Sequence, residues 1–145
     1  MIKLCLMENA HVSQVAALEN VCFTDPWSEN AFISELSNPL STWIVAVEDD
    51  RVVGYVGCQS VLDSADIMNI AVDINYRRQG VAEQLMLDLI DRLSKQGINI
   101  LLLEVRLSNV SAQALYNKLG FVHVGTRPNY YFKPREDALI YRKEW

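Results

Sequence analysis

The stretch NYRRQGVA, Asn75 to Ala82, sets Arg77 and Arg78 before Gly80 at the start of a helical pattern, directly after the apolar run IMNIAV. A helix start carries unpaired backbone N–H groups and a partial positive charge, so a strand-to-helix turn ending in glycine is an anion cradle. The spacing Arg77-x-x-Gly80-x-Ala82 lets backbone approach a ligand closely, while two guanidinium groups add charge for phosphate oxygens. No Gly-Lys-Ser/Thr follows and the three-glycine dinucleotide pattern is missing, which argues against a nucleoside triphosphatase. Further on, Glu104 stands just past the apolar run ILLL, and Tyr116 lies in a helical pattern, SAQALYNKLG. A carboxylate at a strand end and a nearby phenol are the groups that proton transfer needs.

These groups need elements to hold them. IKLCLM alternates as a first strand, and HVSQVAALENVCF carries Val12, Val15, Ala16, Leu18 and Val21 near helical spacing, with Asn9 or Ser13 as a cap. Pro26 breaks that helix, and Ser28 caps a second, ENAFISELSN. STWIVAVE and RVVGYVGCQSVL form a hairpin around Asp49-Asp50, with Gly54 and Gly57 marking a bulge or a close backbone approach. ADIMNIAV is a further strand. A long helix from Gly80 to about Gln96 carries the stripe Val81, Leu85, Leu89 and Leu93, with Gly97 as its C-terminal stop. INILLLEV reads as a strand covered on both faces, SNVSAQALYNKLG as a capped helix, and FVHVGTRPNYYF and DALIYRKEW as the last strands. The pattern predicts one α/β (α+β) domain over residues 1–145, a mixed and mostly antiparallel sheet of about seven strands with about four helices.

Composition narrows the partners. A chain of 145 residues, half of it apolar, can bury a core of its own. The net charge of -5 argues against general attraction to nucleic acid or an anionic membrane, and favours a basic partner. Cys5, Cys22 and Cys58 form no CxxC pair, so a reducing cytoplasm and core packing are expected rather than disulfides, zinc or a Cys–His nucleophile. His11 and His123 lie far apart without metal-ligand spacing, and read as structural or surface residues; no metal is expected. The N-terminal apolar run is too short for a signal-peptide core or a membrane span.

IMNIAVDINYRRQGVAEQLM resembles the coenzyme A motif of the GCN5-related N-acetyltransferases (GNAT), and LLLEVRLSNVSAQALYNKLGF resembles the motif after it. The likeness covers essentially the whole chain. CFTDPWS and RPNYYFKPREDALIY resemble the group within that family that acetylates the N-terminal alanine of ribosomal small-subunit protein 18. The resemblance implies acetyl-CoA as co-substrate, a cytoplasmic monomer, and a fourth and fifth strand that splay apart to admit the pantetheine arm. Ile70, Ala71 and Val72 would bond that arm. The N–H groups of Arg78, Gln79, Gly80, Val81 and Ala82 would seat the diphosphate, with Arg77 flanking it and Asn109 contacting the cofactor.

Acetyl transfer requires a neutral amine, and an α-amine with a pKa near ~8 needs far less help than a lysine at ~10.4. Glu104 is the expected general base, at a strand end where partial desolvation raises a carboxylate's pKa; the bland alternative pairs it with Arg106. Tyr116, by resemblance, is the acid that protonates the leaving thiolate, where spacing alone would place it in the core. Direct attack in a ternary complex is favoured over an acyl-enzyme. Phe23, Pro26, Trp27, Asn129, Tyr130 and Tyr131 sit in loops, where large aromatics either close the core or, by family analogy, wall a peptide groove. Asp25, Glu35 or Glu136 could attract a basic residue of the substrate. One departure stands out: FKP replaces the proline after the tyrosines and the glycine before REDA that the resembled group usually carries. An acceptor other than an N-terminal alanine, such as a polyamine, an antibiotic or a lysine side chain, or a binding module without turnover, are the alternatives.

Overall fold

The computed structural model describes residues 1–145. Its elements run β1 (Lys3–Leu6), α1 (Asn9–Cys22), α2 (Glu29–Leu36), β2 (Ser41–Glu48), β3 (Arg51–Val61), β4 (Ser64–Val72), α3 (Val81–Lys95), β5 (Ile100–Arg106), α4 (Val110–Lys118), β6 (Val122–Tyr131) and β7 (Glu136–Glu144). This is the expected order of strands and helices. The seven strands form one sheet in the order β1-β2-β3-β4-β5-β7-β6. Every neighbouring pair is antiparallel except β4 and β5, whose parallel connection requires the crossover that α3 supplies.

Alternation sorts the strand side chains between two cores. Ile44, Ala46, Val56, Leu101, Leu103 and Val105 meet α3 and α4, whereas Trp43, Val45, Tyr55 and Ala71 meet α1 and α2. The α3 stripe of Val81, Leu85, Leu89 and Leu93 is buried throughout, as its spacing requires.

On α1 the buried face differs from the expected one. Val21 is 81% exposed, while Glu19 is fully buried in line with Val12 and Val15. Positions 12, 15, 16 and 19 share one helical face, so the carboxylate stands on the apolar stripe and Val21 does not. Neither Asn9 nor Ser13 caps α1; Glu8 is the N-cap, and its backbone N–H donates to His11 Nδ1 at 2.9 Å. Ser28 does cap α2, its hydroxyl accepting from Ala31 N at 3.1 Å.

The decisive local feature is where pairing stops. β4 and β5 are joined only at Ser64–Asp66 against Ile100–Leu102. Beyond that, β4 continues to Val72 and β5 to Arg106 with no ladder between them. A register shift beside Gly57 sets in where the two strands part: Gly57 pairs with Asn69 but Cys58 with Ile67, leaving Met68 as the extra residue of a bulge that bends β4.

Candidate active site

The open seam leaves backbone polar groups on the β5 side of β4 without a strand partner, next to Ile70, Ala71 and Val72. Unpaired groups of that kind are what an extended polar arm can bond. At the same end of β4, Gly80 has φ 79°, serves as the N-cap of α3 and gives that helix no side-chain cap. A Cβ built on Gly80 meets nothing within 4 Å, so the space above the helix start is open. Free N–H groups of the first turn, an open approach and the exposed Arg78, itself in the left-handed region at φ 63°, fit an anionic group such as a diphosphate. Arg77 is also exposed, and bends back along the turn: its Nε donates to the Val72 carbonyl at 3.1 Å and its Nη2 lies 3.8 Å from Cys22 Sγ. It therefore braces the turn against α1. Asn109 is the N-cap of α4, accepting from Ala112 N at 3.2 Å.

Glu104 faces the α1 and α2 side of β5, because Leu103 and Val105 point the other way into the α3 core. Its carboxylate pairs with Arg127, Nε to Oε2 3.0 Å, and not with Arg106. Arg106 is taken by β7 and the loop before it, through Glu136 Oε1 at 3.2 Å, the Pro134 carbonyl at 3.0 Å and the Phe132 carbonyl at 3.2 Å.

Two tyrosines complete this corner. Burial, and next the Glu104 charge, push the Tyr131 phenol up to about 12, and the same two causes raise Tyr130. Tyr116 is buried, its ring 5.7 Å from Phe121 and 6.1 Å from Tyr141. Burial and then the neighbouring Tyr131 hold its pKa well above the ordinary phenol value, so it stays a proton donor across the neutral range. The charge of Glu104 thus reaches Tyr130 and Tyr131, and Tyr131 in turn acts on Tyr116.

The other loop residues divide. The Trp27 ring centre lies 5.4 Å from those of both Phe32 and Trp43, tilted against the first and edge-on to the second, so it closes the core, and Phe23 packs against the same cluster. Pro26 is half-buried beside it, while Asn129, at φ 52°, donates its N–H to Asp137 Oδ1 at 2.8 Å. Of the three acids expected to draw a basic residue, Asp25 is exposed, but Glu35 and Glu136 are committed. Glu35 accepts from Ser41, Trp43 and Gln59 inside the protein, and Glu136 is held by Arg106 and Ser108 N.

His123 stacks 5.6 Å from Tyr141, and no group of three His, Cys, Asp or Glu is placed to hold a metal ion.

Glu19 and Arg127 are not singled out by the sequence, and Arg106 is expected there only as a partner for Glu104. Glu19 accepts from the Tyr55 hydroxyl, Asn69 Nδ2 at 2.8 Å and Trp27 N at 3.0 Å, which ties the aromatic loop to the bulged part of β4. Its spacing of seven from Val12 was the available signal, since a carboxylate on an apolar stripe requires buried donors. Arg106 and Arg127 gave no such signal, because their partners come from distant strands.

Residues 12–121 match the acetyltransferase (GNAT) family. The chain is 39% identical over 130 residues to a putative [ribosomal protein bS18]-alanine N-acetyltransferase of Bacillus subtilis (strain 168), spanning 89% of this chain and 86% of that one. It is 38% identical over 136 residues to the [ribosomal protein bS18]-alanine N-acetyltransferase of Escherichia coli (strain K12), spanning 92% and 91%. The crystal structure of the ribosomal-protein-S18-alanine N-acetyltransferase from Escherichia coli superimposes with a TM-score of 0.91 at 36% identity, over 99% of this chain and 94% of the other.

Proposed function

Because the chain belongs to the acetyltransferase (GNAT) family, we propose that it is an N-terminal alanine acetyltransferase whose acceptor is ribosomal small-subunit protein 18 (bS18), with residues 1–145 forming one catalytic domain in the cytoplasm. Relatives at 38–39% identity across most of its length carry that activity in their names. Within the chain, the observation that carries the reading is the unladdered seam between β4 and β5, with Glu104 on one bank and an uncapped helix start at its end.

Acetyl-CoA supplies the acetyl group as a thioester. Ile70, Ala71 and Val72 offer the backbone edge along which its arm would lie; Arg78 to Ala82 offer the anion seat, with Arg77 bracing the turn and Asn109 opening the next helix. Glu104 takes the proton from the α-ammonium, whose ordinary pKa near ~8 leaves little work for a carboxylate base. Tyr116 holds at its Oη the proton that the departing thiolate needs. Tyr130, Tyr131 and Asn129 line the acceptor side beside Glu104, and the loop after α1 that carries Phe23, Pro26 and Trp27 shapes it from behind, with Trp27 and Phe23 anchoring that loop in the core. This is direct attack by the amine, without an acyl-enzyme.

The test is mass spectrometry of a synthetic peptide bearing the bS18 N-terminus, incubated with acetyl-CoA and the protein. Acetylation of the α-amine is expected, with kcat falling roughly 10²–10⁴-fold in Glu104→Gln and also in Tyr116→Phe. Acetyl on an internal lysine alone, or none, overturns the acceptor.

A further inference from the structure

The cation beside Glu104 is supplied by the protein itself. In the sheet order β5-β7-β6, Glu104 pairs with Ile140 and Arg127 with Ala138, so the two side chains meet across the whole width of β7. Two strand spacings and an offset of two residues along β7 come to about 12 Å between the backbones, a gap for two long side chains to bridge. Ala138, fully buried and small, leaves room for the arm above it. Arg127 ends with Nε 3.0 Å from Glu104 Oε2 and its guanidinium carbon 5.8 Å from the Tyr130 ring centroid.

Arg127 is lightly held. Its side chain is 58% exposed and that of Glu104 31%, and Glu104 is the one carboxylate it pairs with. Arg106, two residues along β5 from Glu104, is fixed by three acceptors and 27% exposed. An exposed ion pair contributes little net free energy, so exchanging one cation for another on Glu104 is inexpensive. Pro128 follows, and the β6–β7 ladder is irregular from Arg127 to Tyr131, so the strand that carries Arg127 is not clamped there.

We propose that Arg127 is a displaceable counter-ion, seated on Glu104 in the resting enzyme and exchanged for the α-ammonium of the incoming peptide. The proposal rests on reading Glu104 as the base. It makes Arg127 a specificity-determining residue: a free, charged N-terminus can take its place, and a blocked one cannot. Once the amine has become a neutral amide, the guanidinium recovers its partner and the product loses its hold.

Two peptides test this in the presence of coenzyme A, which allows binding without turnover. One bears the bS18 N-terminus; the other begins with a propionyl group in place of alanine and so lacks only the amine. Removing the competing cation in Arg127→Gln should tighten the amine peptide roughly two- to five-fold and leave the propionyl peptide unchanged, with Arg127→Lys close to the unsubstituted protein. Equal shifts for both peptides, or weaker binding of the amine peptide in Arg127→Gln, overturn the exchange while leaving the acceptor assignment intact. Failure of both peptides to bind the unsubstituted protein overturns the acceptor assignment, and the exchange with it.

Discussion

The Arg106 guanidinium lies 4.3 Å above the centre of the Tyr131 ring while donating to the Phe132 and Pro134 carbonyls and to Glu136. One planar group thereby fixes a tyrosine beside the proposed base and the turn that follows it. Lysine keeps the charge but presents a point donor that cannot serve three acceptors and a ring at once. Arg106→Lys should raise the peptide KM about tenfold, the scale of one charged hydrogen bond, and leave the acetyl-CoA KM unchanged. Steady-state kinetics with each substrate varied in turn decide it, and an equal rise in both would place the damage in the seam.

Gly57 sits opposite Trp43 in the β2–β3 ladder, with the indole lying over it. A Cβ there would fall 2.2 Å from ring atoms of Trp43, which touches Phe32 and Trp27 in turn. Gly57→Ala is therefore expected to destabilise the fold by roughly 1–3 kcal/mol through overpacking, and to disturb the Trp27 loop. Urea unfolding followed by tryptophan fluorescence measures both effects; a midpoint within error of the unsubstituted protein would show that the ring swings aside freely.

Much of this architecture was legible because it is periodic or punctuated. The buried stripe of α3, the Ser28 cap and the stop at Gly97, φ 79°, follow from spacing and residue type. The roles proposed for Glu104 and Tyr116 rest on motif resemblance, and for Glu104 also on its place just past the ILLL run. What stayed hidden depends on register between strands far apart in sequence: Arg127 meets Glu104 only because β7 inserts between β5 and β6. Glu35 likewise reads as a surface acid, yet the indole of Trp43 and the amide of Gln59 fold over it.

Asn109 has two ends with separate work. Its Oδ1 accepts from Ala112 N as the cap of α4, and its Nδ2 is the group proposed to meet the coenzyme. Asn109→Ser should preserve the cap and the melting temperature but raise the acetyl-CoA KM. Asn109→Ala should do the same to KM and also lose about 1 kcal/mol of stability. Thermal melts beside acetyl-CoA titrations separate the two roles, and an unchanged KM in both variants would leave Asn109 a cap alone.

Two buried carboxylates bend the pH dependence of stability in opposite directions. At Glu35, burial raises the pKa, but donors from Gln59, Trp43, Ser41 and Asn38 outweigh it and hold the carboxyl below its ordinary value. A folded pKa below the unfolded one, near ~4.3, gives a stabilisation fully present above that value and lost as pH falls through the folded pKa. At Glu19, burial wins over the hydrogen bonds from Tyr55, Trp27 and Asn69, and the pKa is raised. That contribution is complete below the unfolded value and declines as pH rises through the folded pKa. Glu35→Gln should therefore flatten the loss of stability on the acid side, and Glu19→Gln should flatten the decline just above the ordinary carboxylate pKa. Urea unfolding across a pH series checks both slopes. A Glu19→Gln curve parallel to that of the unsubstituted protein would mean that the cage of donors offsets burial, leaving Glu19 with no net shift between the unfolded and folded chain.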